Sequence, residues 1–541
     1  MSEEFLIHGP NRLIPIPEIS IGKRIYDSLK EAGPEEVAYI DVKTERFLTH
    51  NNFLKLTCRL ARALQNCGYK SNDVISISGE NNNYFFVPVV AGFYLGMISA
   101  PLNHNYTERE LLHSAGIAKP KIIFCSKTKL KTYLDLQRKV DYIERIIIMD
   151  PMDKTSGFDT IEDFIEKHCE KNFKEDDLKI TEVNIFEHLA CILYSSGTTG
   201  FPKGVMTTHD NIAMRMSHFR DPRIHAAGPE TIMGCLPFFH GYGFMTNVTG
   251  LAKKNKIVVM QRFEEAKFLK AIEKFKINNI SIVPPIMNFL VKNPMVDNYD
   301  LTSLHEITCG AAPLSHELEQ TADKKFSFVS NLRQAYGLTE ATLAITMMPS
   351  NERRSGSSGK VVPEMTVKIC DPETRKSLGP NQIGEICVKG RMVTKGYYGD
   401  EKATKTCFTD DGWLLTGDLA YYDKDGYFYV VDRLKELIKY KAFQVAPAEL
   451  EAILIANPRI KDAGVVGKPD DEAGEVATAF IVKADQSLTE DEVKKVISDQ
   501  LSKPKHLHGG VYFVNEIPKN PSGKILRRQL RDLLVKQKSK L

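Results

Sequence analysis

The chain has 541 residues, too many for a single hydrophobic core, so it divides into several lobes. Hydrophobic residues make up 42% and charged residues 26%, and Lys+Arg 72 against Asp+Glu 69 leaves a net charge of +3. That balance gives no electrostatic basis for nucleic acid as a partner. Ten cysteines are scattered without a Cys-x-x-Cys pair, which excludes the usual zinc and dithiol patterns and fits a reducing compartment.

The start, Met1-Ser2-Glu3-Glu4, is acidic and lacks the basic-then-apolar order of a signal peptide. Asp73 to Ser78 reads as a strand. Tyr84 to Leu102 is nearly all apolar, but Pro88, Gly92, Gly96 and Pro101 interrupt it. It reads as a buried helix that stops near Gly96 and passes into a strand, with no transmembrane segment expected. Lys121 to Cys125 and Ile280 to Pro284 are further β-branched runs, the second preceded by a helical pattern over Glu264 to Phe275. This βα alternation argues for parallel sheets covered by helices.

From about residue 363 the texture changes. Glu385 to Val388 and Tyr427 to Val431 look like strands, and Asp411-Gly412 and Asp425-Gly426 like turns, as in an antiparallel, barrel-like β lobe. A polar hinge candidate follows at Asp432-Arg433-Leu434-Lys435. The expected division is a large α/β domain over 1–434 and a small mobile α+β domain over 435–541. A last helix is expected from Ile525 to Gln537, with Leu526, Leu530, Leu533 and Leu534 on one face. Arg527, Arg528 and Arg531 fall largely off that face and read as solvated surface. His506 and His508 alternate with no third ligand nearby and read as the start of a surface strand.

The strongest chemical signal is Tyr194-Ser195-Ser196-Gly197-Thr198-Thr199-Gly200-Phe201-Pro202-Lys203-Gly204. Backbone N–H and hydroxyl donors with one mobile lysine suit a polyphosphate. It is not a Walker A loop, because Gly204 rather than Ser or Thr follows the lysine. The run resembles the phosphate loop of the acyl-adenylate-forming superfamily, which holds acyl-CoA synthetases, adenylation domains and insect luciferases. Gln334-Ala335-Tyr336-Gly337-Leu338-Thr339-Glu340, Leu415-Thr416-Gly417-Asp418, Asp432-Arg433-Leu434-Lys435 and Pro521-Ser522-Gly523-Lys524 follow in that family's order. The branch most similar holds luciferases, luciferase-like fatty acyl-CoA synthetases and 4-coumarate–CoA ligases, and Tyr440 to Leu450 also points there.

The resemblance implies substrates and roles. ATP, a carboxylic acid and coenzyme A are the expected substrates, with Mg²⁺ on Glu340 to bridge phosphate oxygens. Thr339 lies near the α-phosphate, Tyr336 against adenine, and Asp418 with Arg433 at the ribose. Lys524 joins carboxylate and α-phosphate in adenylation. Lys435 is the hinge, and Lys439 serves a second orientation for thioester formation. Ala442 departs from the family's usual glycine, where the thiol arm passes close to backbone. The acid pocket is expected at Arg215, His240, Tyr242, Gly310, Ala311, Ala312, Leu343 and Ala344. Leu343 stands where luciferases carry serine, and Phe239 where they carry histidine. Both changes favour a fatty acyl group, since each buried CH₂ contributes about 0.8 kcal/mol. A luciferase, an aromatic acid–CoA ligase and a non-catalytic binding protein are the alternatives. Ser539-Lys540-Leu541 matches a peroxisomal import-receptor address, so peroxisomes are the expected location.

Overall fold

The computed structural model describes residues 5–195, 201–225, 228–312, 314, 316–441, 443–520 and 523–538. Ser196, Gly197, Thr198, Thr199 and Gly200 of the phosphate loop, Ala442, Pro521, Ser522 and the terminal Ser539-Lys540-Leu541 lie outside the described residues.

Two mostly parallel sheets carry the large α/β part. The six-stranded sheet runs in the order Arg145–Ile148, Ile122–Cys125, Val74–Ser78, Ile98–Ser99, Leu189–Ser195, Lys203–Thr208. Its last pair is antiparallel, so the chain doubles back through the phosphate loop. The nine-stranded sheet has a parallel centre from Asn331–Leu338 to Val37–Asp41. The strand Ile122–Cys125 is buried along its whole length, which is why it reads as a continuous rather than alternating apolar run. The main core lies between the sheets and includes the wholly buried helix Phe86–Tyr94, which leads into Ile98–Ser99 as expected. Among the described residues no helix is long and apolar enough to cross a membrane.

The β lobe is a five-stranded antiparallel sheet, in the order Ile7–His8, Met365–Cys370, Gly384–Gly390, Leu414–Tyr422, Phe428–Arg433. The C-terminal sheet is built only from strands between Ile438 and Phe513. Helices Pro447–Ala456, Glu490–Ser498 and Arg527–Lys538 accompany it.

The last helix corrects one expectation. Leu530 is fully buried, and Arg528 and Arg531 are exposed, but Arg527 is only 9% exposed. Its guanidinium meets Glu436 at 3.1 Å and Glu451 at 3.0 Å. Arg527 therefore pins the helix to the segment after the hinge candidate. Glu451 is buried, and burial pushes its carboxyl up to about 7, with Arg527 opposing. Arg527 lies within an arginine-rich surface run, and helical periodicity alone carries no sign of these long-range carboxylates. His506 and His508 precede the strand Val511–Phe513, and backbone carbonyls of Leu501 and Lys503 meet their Nε2 atoms.

The C-terminal unit docks on the large part. The Ala448 N–H donates to Asp432 at 2.9 Å, and Lys292 donates to the Ile455 carbonyl at 2.6 Å. At Gly523 the chain takes φ +80°, and a Cβ there would lie 3.3 Å from Val283. This docking turns the Lys524 loop inward.

Candidate active site

A cavity of about 410 Å³ opens at the carboxyl ends of parallel strands, where open α/β sheets place their ligands. Ser195 and Lys203 stand on either side of the undescribed phosphate loop and both line it. Ala335, Tyr336, Gly337, Thr339 and Glu340 come from the end of Asn331–Leu338 and the turn after it. Arg433, Lys435 and Lys524 enter from the other side.

At the nucleotide end the carboxylates Asp418 and Glu385 each have partners. Asp418 is 6% exposed; one oxygen accepts from Arg433 Nε at 2.9 Å and the other from the Tyr336 hydroxyl at 2.8 Å. Burial and then the Asp418 charge push the Tyr336 phenol well up, so it stays a donor. Gly417, at φ +71°, donates its N–H to Glu385 at 2.9 Å, and Arg375 pairs with Glu385.

Glu340 accepts a 2.9 Å hydrogen bond from the Tyr397 hydroxyl, and Lys203 Nζ lies 4.7 Å from the centre of the Tyr397 ring. Sequence reasoning missed Tyr397. The only local mark is the Gly396-Tyr397-Tyr398 run, which says nothing of the carboxylate it meets. The strand of Lys203 and the Glu340 turn are strapped together by this segment. The Tyr398 N–H donates to Gly204 O, Met206 to Gly396 O, and Thr394 to Glu340 O. The Glu340 Oε2 has no protein hydrogen bond among the described residues, and a carboxylate oxygen beside a phosphate site fits Mg²⁺.

Lys524 lines the cavity. Burial lowers its pKa, with Arg433 next in effect, while Asp418 and Glu340 oppose the shift. Its N–H bonds the Asn520 side chain at 2.9 Å, which fixes the loop. Lys439 lies elsewhere, exposed on the strand Ile438–Tyr440 and off the cavity wall.

His240 has two roles. Its Nδ1 accepts the Tyr242 N–H at 3.4 Å, so it caps the helix Gly241–Ala252, and it also lines the cavity. Burial and then the Lys524 charge lower its pKa to about 4. The ring is neutral at physiological pH and, accepting at Nδ1, carries its proton on Nε2. A carboxylate beside it would meet a hydrogen-bond donor, not a cation.

Arg215, Tyr242, Gly310, Ala311, Leu343 and Ala344 all line the acid end. Ala312 and Gln334 do not; Gln334 Oε1 instead accepts the Leu314 N–H at 3.2 Å and shapes the adjoining loop. Three non-glycine residues here hold positive φ: Ala311 at 73°, Thr342 at 49° and Leu343 at 81°. Strain of this kind needs support, and Thr342 supplies some through a 2.7 Å bond to Met392 O. Gly337 is also required: a Cβ there would sit 1.5 Å from Leu343 O.

Past these residues the cavity ends on polar groups that sequence reasoning also missed. Glu306 accepts from Arg333 at 2.6 Å and faces His225 at 2.9 Å. Burial works to raise the Glu306 carboxyl, but His225 and Arg333 prevail and hold it well below the carboxylate range. Glu230 is bonded by Lys253 and Asn279, each at 2.8 Å. Glu230, His305 and Glu306 lie close enough to hold a metal, but a cation there would have to displace Lys253 and Arg333.

Lys203, Glu340, Arg433 and Lys524 around one cavity, with Asp418 bonded to Arg433, suit an ATP-dependent adenylate-forming site. The comparisons agree. The AMP-binding enzyme family matches residues 28–398, and the AMP-binding enzyme C-terminal domain matches 449–524. The luciferin 4-monooxygenase of Photuris pensylvanica is 43% identical over 100% of both chains. A probable 4-coumarate–CoA ligase of Dictyostelium discoideum is 36% identical over 96% of each. The crystal structure of ATP-bound MatB from Rhodopseudomonas palustris superposes with a TM-score of 0.84 at 26% identity, covering 95% of this chain and 99% of that one. The chain belongs to the AMP-binding enzyme family, within the acyl-adenylate-forming superfamily of acyl/aryl–CoA ligases and luciferases.

Proposed function

We propose that the protein is an AMP-forming acid–CoA ligase for medium- or long-chain fatty acids. The observation that carries this reading is Lys524, which lines the same cavity as Arg433 and Glu340, with Asp418 bonded to Arg433. A fatty carboxylate attacks the α-phosphorus of ATP and expels pyrophosphate; the thiol of coenzyme A then attacks the acyl-adenylate and expels AMP. In the first step Lys524 neutralises the two anions that must meet, and His240 donates from Nε2. Lys203 faces the pyrophosphate, and Asp418 accepts the ribose hydroxyls. Glu340 would hold Mg²⁺, which would supply positive charge to phosphate oxygens.

For the second step the C-terminal unit turns about Lys435 and presents the Lys439 strand in place of Lys524. The exposure of Lys439 in the present arrangement supports two orientations. Leu343 supports an acyl chain, because it gives the strained wall an apolar side chain. The second reading, luciferin adenylation and oxidation or an aromatic acid–CoA ligase, draws on the relatives' identities of 43% and 36%. The full set of charged groups argues against a non-catalytic binder. The peroxisomal destination rests on Ser539-Lys540-Leu541 alone.

The test is AMP and pyrophosphate release with Mg-ATP across octanoate, laurate, palmitate, coumarate and luciferin, with and without coenzyme A. Fastest acyl-CoA formation with the fatty acids is expected. Turnover confined to coumarate or luciferin would overturn the fatty acid reading.

A further inference from the structure

The aspartate given to the ribose stands on an irregular stretch of strand. On the Gly384–Gly390 side, Leu415 pairs with Cys387 and Leu419 with Glu385, so Thr416, Gly417 and Asp418 stand opposite Ile386 alone. Such a bulge takes backbone groups out of the ladder and re-aims a side chain. Other partners must then satisfy those groups. The Thr416 hydroxyl donates to Ile386 O at 2.9 Å and accepts the Asp418 N–H at 3.1 Å. Gly417 is held from both sides: the Leu434 N–H donates to its carbonyl at 2.9 Å, and its own N–H donates to Glu385 Oε1 at 2.9 Å. Its φ of +71° is the reason for glycine here, because a Cβ would meet nothing within 4 Å.

Glu385 brings a charge into this frame. It is 3% exposed, and a buried carboxylate needs a counter-charge. Arg375 supplies one at Glu385 Oε2, from a side chain that is 44% exposed. The turn after Met365–Cys370 delivers that arginine: Asp371 accepts the N–H groups of Glu373 and Thr374 at 3.0 and 2.7 Å. A neutral acceptor would satisfy the Gly417 N–H at a lower desolvation cost. What the carboxylate adds is a stronger, more tightly directed bond. Arg375, Glu385 and Gly417 all line the cavity. Tyr336 and Arg433 hold the Asp418 carboxylate, but the peptide that carries it is set by Thr416, Leu434 and Glu385.

We propose that Glu385 is a positioning residue for the ribose: with Arg375 as its counter-ion, it fixes the Gly417 peptide and so the direction in which Asp418 meets the 2′ and 3′ hydroxyls. This deepens the ribose role given to Asp418 and rests on it. No bond forms or breaks at Glu385; it acts through Gly417.

The test is the preference for Mg-ATP over its 2′-deoxy and 3′-deoxy analogues, taken as a ratio of Kd values. Thermal-shift titration gives these constants without any acid or turnover. A merely structural role would weaken all three nucleotides alike, because they share adenine and triphosphate. The wild type is expected to prefer ATP by about ten- to hundredfold, the range of a hydrogen bond to a charged group. In Glu385→Leu the preference should fall by about tenfold, while Glu385→Gln, which keeps an acceptor for Gly417, should retain most of it. Arg375→Met should give a smaller fall, because Glu385 keeps its bond to Gly417. A preference lost in Asp418→Ala but unchanged in Glu385→Leu would overturn the proposal and leave the ribose role of Asp418 standing. A preference that survives Asp418→Ala, or is absent from the wild type, would overturn that role and the proposal with it. Should Glu385→Leu fail to fold, Arg375→Met decides: a lowered preference supports the proposal, and an unchanged one overturns it.

Discussion

The two ends of the cavity are assembled differently. At the nucleotide end, Asp418 is held by Tyr336 and Arg433, and Glu340 by Tyr397, so each carboxylate is aimed before any ligand arrives. At the acid end, Arg215 and one oxygen of Glu306 are buried without hydrogen-bond partners, and three residues in positive φ form the wall. Chemistry common to many acids is served by a pre-organised site. Selectivity among acids is left to groups that the right substrate must complete.

Substitution can break this contrast. The largest effect is expected for Asp418→Ala, which removes the ribose acceptor and leaves Arg433 and Tyr336 without it. KM for ATP should rise about a hundredfold while the ranking of acids stays the same. A changed ranking would mean that the two ends are not separable. Tyr397→Phe keeps the ring beneath Lys203 and removes only the bond to Glu340. The Mg²⁺ concentration for half-maximal rate should rise about tenfold, the lower range for loss of a partner that orients a metal ligand. An unchanged Mg²⁺ titration would show that Glu340 does not need Tyr397.

The smallest effect concerns pH. His240 has its folded-state pKa depressed from 6.5 to about 4. For a base the sign is that the unfolded chain binds the proton first. His240 therefore costs stability progressively as pH falls from 6.5 towards 4, and nothing above that window. The adenylation rate should accordingly show no titration near 6.5 that disappears in His240→Gln.

The same contrast governs what the sequence reveals. The nucleotide end is written in short contiguous runs, Tyr336 to Glu340 at a strand end with its turn and Thr416-Gly417-Asp418 within one strand, because one local element presents each as a unit. The buried helix at Phe86–Tyr94 and the change to antiparallel strands near residue 363 were legible for the same reason, since local pattern decides them. Tyr397, Arg527, His225 and Glu230 were not. Each acquires its role from a partner far along the chain: Tyr397 from Glu340, Arg527 from Glu451, His225 from Glu306 and Glu230 from Asn279. Gln334, inside a recognisable motif, accepts the Leu314 N–H, a contact the motif does not announce.

The two half-reactions, pyrophosphate release and thioester formation from preformed acyl-adenylate, can be measured separately in Lys524→Ala and Lys439→Ala. Lys524→Ala should lose pyrophosphate release by about a thousandfold, the upper range for removing a transition-state donor, yet still convert supplied acyl-adenylate. Lys439→Ala should release pyrophosphate normally and be slow in thioester formation. Equal loss of both half-reactions in both variants would contradict the two-orientation mechanism and the role given to Lys524.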